Sequence, residues 1–202
     1  MKRVLWLTLL LMMGVPSAHA HLMNTGLGPF YDGLTHLVVT PEDLLPVIAL
    51  ALFAGLCGPQ YGRVVLFVLP AAWLAGAVVG ASSDTPLTLP VTTALMTVAF
   101  GVLVVMDRQL PLRVVVACAL VLGVFHGSLN GTDLSQQRAP GLSVIGIAVA
   151  LFVVVSLLAG QVTSLRLAWA RVVVRVAGSW IAATGLLMLG WAVRVRMGGT
   201  AF

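Results

Sequence analysis

The chain has 202 residues, of which 60% are hydrophobic and 8% charged, with a formal net charge of +5 and a mean hydropathy of +1.08. A water-soluble domain carries about 25% charged residues, so this composition excludes a disordered segment and a soluble nucleotide-binding enzyme. It points instead to helices that cross a bilayer, with a thinly spread basic excess that fits membrane loops better than a nucleic-acid surface.

The N-terminus reads as an export signal. Lys2 and Arg3 precede the apolar run Val4–Val15, Pro16-Ser17 breaks that run, and Ala18-His19-Ala20 supplies small residues before a cleavage point. Cleavage after Ala20 makes residues 1–20 a signal peptide and leaves 21–202 as a single membrane domain that begins at His21. An α-amine and an imidazole on one residue can chelate Ni, Cu, Zn or Co.

The segment from Thr25 to His36 is a Gly-rich, partly apolar lead that suits the membrane interface, with Phe30 and Tyr31 as anchors and Asp32 beside them. Thr40-Pro41-Glu42-Asp43 follows. It has the form of a helix start: a capping threonine, a proline at the first helical position and two acids in the first turn. Two roles stay open for Glu42 and Asp43. They can serve only the helix start, or they can join His36, six and seven residues earlier, in a ligand set. Imidazole and carboxylate together suit divalent first-row metals, and the thiolates of a Cu(I) site are missing.

Six apolar stretches follow, at roughly 41–58, 64–81, 87–106, 112–129, 142–161 and 172–193, with turn residues such as Gly58-Pro59 and the stretch from Asn130-Gly131 through Pro140-Gly141 between them. At about 20 residues per crossing, the expected fold is all-α: a polytopic transmembrane helical bundle of about six spans. The last span is interrupted by Arg166, Arg171 and Arg175 and suits an interfacial start. Cys57 and Cys118 lie in apolar stretches and read as small buried hydrophobes. In the fourth span Gly123, Gly127 and Gly131 recur every four residues, a smooth face that lets a neighbouring helix approach. His126 and Asn130, also four apart, share one face. Ser128 points elsewhere than His126, which argues against a nucleophile and base pair, and the chain is not read as an enzyme.

A cleaved signal places the mature N-terminus in the periplasm, and alternation then assigns the loops. Arg63, Arg108, Arg113, Arg166, Arg171 and Arg175 fall inside, against Arg138, Arg194 and Arg196 outside, as the positive-inside rule asks of an inner-membrane protein. His21, His36 and His126 come out at or near the outer face with Asp32, Glu42, Asp43, Asp84 and Asp133, while Asp107 lies inside. Ionisable groups at membrane depth mark a site, and their gathering on one side points to a cation.

These residues carry a resemblance. The chain resembles the HupE/UreJ family of small membrane proteins, associated with hydrogenase and urease accessory functions and with nickel or cobalt uptake. The family's first motif reads His, five residues, Asp-His; here His36 matches, Glu42 replaces Asp, and Asp43 stands where the second His is expected. The second motif reads Phe-His-Gly-x-x-His-Gly; here Phe125-His126-Gly127 matches and Asn130 replaces the later His, the pattern of a divergent subgroup. The resemblance implies uptake of a divalent metal, Ni(II) or Co(II), with Cu or Zn as further candidates. Its capture site would comprise His36, Glu42, Asp43, His126 and Asn130, assisted by His21 and Asp32. It implies no permanent cofactor, and as partners the lipid bilayer, the metal ion and metalloenzyme maturation proteins. The other reading is a membrane-anchored accessory protein that binds metal and supplies a partner without transport.

Overall fold

The computed structural model describes residues 25–83, 89–134, 139–165 and 167–198. The expected signal peptide, His21 and Asp84 lie outside them. The described residues form seven α-helices and no strand: α1 (Pro29–Val39), α2 (Pro41–Cys57), α3 (Pro59–Ala81), α4 (Pro90–Met106), α5 (Leu112–Leu134), α6 (Pro140–Ser164) and α7 (Ala168–Gly198).

Proline sets most of the boundaries. Helices α1, α2, α3, α4 and α6 each open on one, where its fixed φ suits the helix and its missing N–H is not needed. Thr40 precedes Pro41 and sits at φ −102° and ψ 93°, because the proline ring crowds the residue before it out of helical geometry. Helices α1 and α2 therefore meet at a bend of 74°. The Thr40 hydroxyl makes no capping hydrogen bond, so the helix start rests on backbone geometry alone. At the other end of α2, Gly58 takes φ 122°, a conformation that side chains resist, and the chain reverses into α3.

Helices α3, α5, α6 and residues Trp169–Met197 of α7 are long and apolar enough to cross a membrane, and the bent α1–α2 pair makes a fifth span if counted as one. Among the described residues this is fewer than the roughly six spans expected. The expected first span is the second arm of a bent pair, and the expected interfacial lead is already helical from Pro29. Helix α4 has 17 residues, about 26 Å at the helical rise, short of a hydrocarbon core of about 30 Å. Helix α7 runs unbroken through Arg171 and Arg175.

Glycine brings the helices together. Gly76 and Gly80 of α3 lie on the backbone of α5 at Val124 and Ser128, and Gly127 and Gly131 of α5 lie on the backbone of α3 at Trp73 and Ala77. A Cβ at any of these positions would strike main chain, so the two helices approach as closely as backbones can. Gly131 also bears on where the expected break between the fourth and fifth spans begins. Asn130-Gly131 has the composition of a break, yet α5 continues to Leu134 because packing on Ala77 holds the glycine helical despite its low propensity. In the same way Gly33 and Gly146 let α1 lie against α6.

The core contains Trp73, Phe53, Leu50, Leu69, Leu122 and Leu151, all buried. Trp169, Trp180, Leu187 and Trp191 are exposed, as a lipid-facing surface requires. The described arginines Arg63, Arg108, Arg113, Arg171 and Arg175 fall at the end where α2 meets α3, α4 meets α5, and α6 meets α7. The bend at Thr40 lies at the opposite end.

Candidate functional site

The 74° bend decides what faces what. His36 lies one turn before Thr40 and Asp43 one turn after it, so the bend folds the imidazole back towards the carboxylate, with Nε2 of His36 3.6 Å from Oδ2 of Asp43. Helix α5 completes the group. Its position against α3 presents His126 and Asn130 to Asp43, one to each carboxylate oxygen.

The hydrogen-bond roles follow from what each atom can do. A carboxylate only accepts, so Nδ1–H of His126 donates to Oδ1 of Asp43 at 2.7 Å, and Nδ2 of Asn130 donates to Oδ2 at 2.9 Å. That choice turns the Asn130 carbonyl outward as an acceptor. Nε2–H of His36 therefore donates to Oδ1 of Asn130 at 2.8 Å. Asp43 is the hub and is 5% exposed, and His126 is 0% exposed. Each neutral imidazole has one N–H, which leaves Nδ1 of His36 and Nε2 of His126 as bare lone pairs. Nε2 of His126 is buried and has no hydrogen-bond partner among the described residues. The ring is held in place by stacking on Trp73, with centroids 5.6 Å apart and planes inclined at 27°.

In front of this network lies a cavity of about 290 Å³, lined by His36, Thr40, Glu42, Asp43, Thr93, Asn130 and Asp133 among others. Glu42 and Asp133 are exposed at its edge, while Asp43 and Asn130 are buried at its back. His126 does not line the cavity and sits behind Asp43. Carboxylates in a cleft with low-dielectric walls concentrate cations.

The candidate ligands thus separate. His36, Asp43, His126 and Asn130 form one network, and Glu42 shares their cavity. Asp32 is engaged elsewhere: its Oδ1 accepts from the backbone N–H of Thr25 at 2.7 Å and from the Thr25 hydroxyl at 2.6 Å. His21 lies outside the described residues. Sequence reasoning does not single out Asp133, Trp73 or Thr93 as parts of the site. For Asp133 a signal exists: His126, Asn130 and Asp133 stand at i, i+4 and i+7, one helix face. For Trp73 and Thr93 there is none, since each joins the site from another helix.

Among the described residues no group of three His, Cys, Asp or Glu side chains stands arranged to hold a metal ion. The network explains why. The Asp43 oxygens are occupied by N–H donors, so the carboxylate orients the imidazoles, as carboxylates commonly do behind metal-bound histidine.

The HupE / UreJ protein family matches this chain over residues 7–188. Protein HupE of Rhizobium leguminosarum bv. viciae is 30% identical over 188 residues, covering 90% of this chain and 95% of that protein. No solved structure matches.

Proposed function

The chain belongs to the HupE/UreJ family, and from that premise we propose that it takes up a divalent transition-metal cation, Ni(II) or Co(II), through the cavity in front of Asp43. The family is implicated in nickel or cobalt uptake or in accessory roles. The cation is cargo here, not a resident cofactor. Glu42 and Asp133 draw it to the mouth, His36 receives it in the cavity, and Nε2 of His126, behind Asp43, is the nitrogen that lies deeper. Asp43 and Asn130 hold both rings in the tautomers that leave one nitrogen of each free.

The observation that carries this reading is Nε2 of His126, a fully buried lone pair without a hydrogen bond. An orphaned buried polar atom costs about 1–3 kcal/mol, a cost recovered when the cation moves from the cavity past Asp43 to that nitrogen. A cavity on the periplasmic side of an inner membrane is supported by five described arginines at the opposite end of the bundle against Arg194 and Arg196 at the cavity end.

One feature favours the second reading, a membrane-anchored protein that binds the metal for a partner. Beyond the network the core is closed by buried apolar side chains, among them Val47, Leu50, Leu69 and Leu122, and no chain of ligands leads onward among the described residues. Cells expressing the parent, His36→Ala or His126→Ala, matched for membrane levels, separate the possibilities. Uptake predicts that either substitution abolishes intracellular accumulation of Ni or Co. Metal that stays in the membrane fraction supports the accessory role. Unchanged handling of Ni, Co, Cu and Zn in both variants refutes the site.

A further inference from the structure

A groove on the lipid-facing side, between α3 and α6, is unconnected with the metal reading. At the arginine end it opens as a cavity of about 250 Å³ whose lining includes Arg63, Leu66, Val155, Ser156, Gly160 and Thr163. Further along the same two helices lies a second cavity of about 320 Å³, lined only by Pro70, Leu74, Ile145, Ala148, Val149 and Phe152. The α3 positions 59, 63, 66, 70 and 74 advance by three or four, as do those of α6 from 163 back to 145, so the two cavities lie along one continuous face. Phe67 and Phe152 pair edge to face across this stretch, with centroids 5.9 Å apart.

The head of the groove has one unspent donor group. The Ser156 and Thr163 hydroxyls donate to the carbonyls of Val153 and Gly160 in their own helix, and keep lone pairs only. Arg63 is exposed and makes no hydrogen bond or ion pair with another described residue, unlike Arg171 and Arg175 at the same end of the bundle. No carboxylate among the described residues lines this cavity. At Gly160 a Cβ would meet nothing within 4 Å, so the missing side chain leaves space beside the guanidinium.

The dimensions identify the occupant. From Arg63 to Leu74 is about 16 Å along the helix, and one leaflet of the hydrocarbon core is about 15 Å deep. A phosphate at Arg63 with an acyl chain reaching to Leu74 fits both the charge and the length. We propose that this groove is a binding site for one anionic phospholipid, its headgroup on Arg63 and one chain along Pro70, Leu74 and Phe152. A basic pocket between membrane helices at the arginine-rich side is where anionic headgroups are recognised.

The test uses the full-length protein in micelles, titrated with equal amounts of phosphatidylglycerol and phosphatidylcholine of identical chains and read by native mass spectrometry. The expected result is one retained phosphatidylglycerol, preferred about fivefold, the effect of one basic side chain at a membrane surface. Arg63→Gln should remove the preference, Arg63→Lys should keep most of it, and Gly160→Leu should displace the lipid by filling the groove. Arg113→Gln, at the same end of the bundle, should change nothing. Equal retention of both lipids by the parent overturns the proposal, as does an equal loss with Arg113→Gln. A concentration-dependent dimer that Phe67→Ala dissolves, with no retained lipid, would assign the groove to a second copy and overturn it too.

Discussion

At one end of the bundle Asp43 is 5% exposed and takes hydrogen bonds from His126 and Asn130. At the other end Asp107 takes two from Arg171, at 2.7 and 3.3 Å, whose side chain is 44% exposed. Both carboxylates face nitrogen donors at similar distances. They differ in what happens when a partner leaves. Around Asp107 water and headgroups replace the lost contact, so an exposed pair is worth little. Around Asp43 nothing replaces the contact with His126, which lies off the cavity, and that donor stays buried and unpaired when the carboxylate is lost. Distance alone therefore says little about importance, and burial decides which end holds tension that a ligand can use.

The sharpest way to break this contrast is Asp43→Ala. It strands the buried His126 donor, and the expected loss is about 3–5 kcal/mol of stability, measured by denaturation in micelles, together with the loss of metal accumulation. A loss no larger than that of an exposed pair would erase the distinction between the two ends.

Asn130→His sharpens it with a smaller effect. A neutral imidazole has one donor and one acceptor; with the donor on Asp43, the second nitrogen can take a cation in place of the His36 N–H and so restores the nitrogen found in the related motif. Nickel affinity measured by calorimetry should rise on the order of tenfold. A fall would mean that residue 130 acts as a bridge between the two histidines and needs the reach of the amide.

The smallest effect belongs to the exposed end. Asp107→Asn should cost at most about 1 kcal/mol, less at high salt, with metal accumulation unchanged. A large loss there would show that the arginine end takes part in transport.

Much of the site is legible in residue types and their spacing. His36, Asp43, His126 and Asn130 all qualify as candidates on those grounds, and the glycine stripe on α5 announces a close neighbour. The roles within the cluster are not legible in this way. Asn130-Gly131 has the local composition of a turn, yet it stays in the helix, where Gly131 packs on the Ala77 backbone. Asp32 has the right chemistry and belongs to Thr25 instead. The number of spans is likewise hidden, because apolar composition cannot tell a full crossing from one arm of a bent pair.

The amino-acid sequence by itself determined what local forces govern. Low charge required a membrane bundle of helices, and Thr40-Pro41-Glu42-Asp43 marked a helix start, since a proline's ring disfavours helical geometry at the residue directly before it. Which of two adjacent acids becomes the hub was left to the tertiary structure. Glu42 and Asp43 are about 100° apart around the helix, and no local property orients that helix about its axis. The glycine-mediated approach of α5 to α3, and of α1 to α6, turns Asp43 inward to both histidines and leaves Glu42 at the mouth.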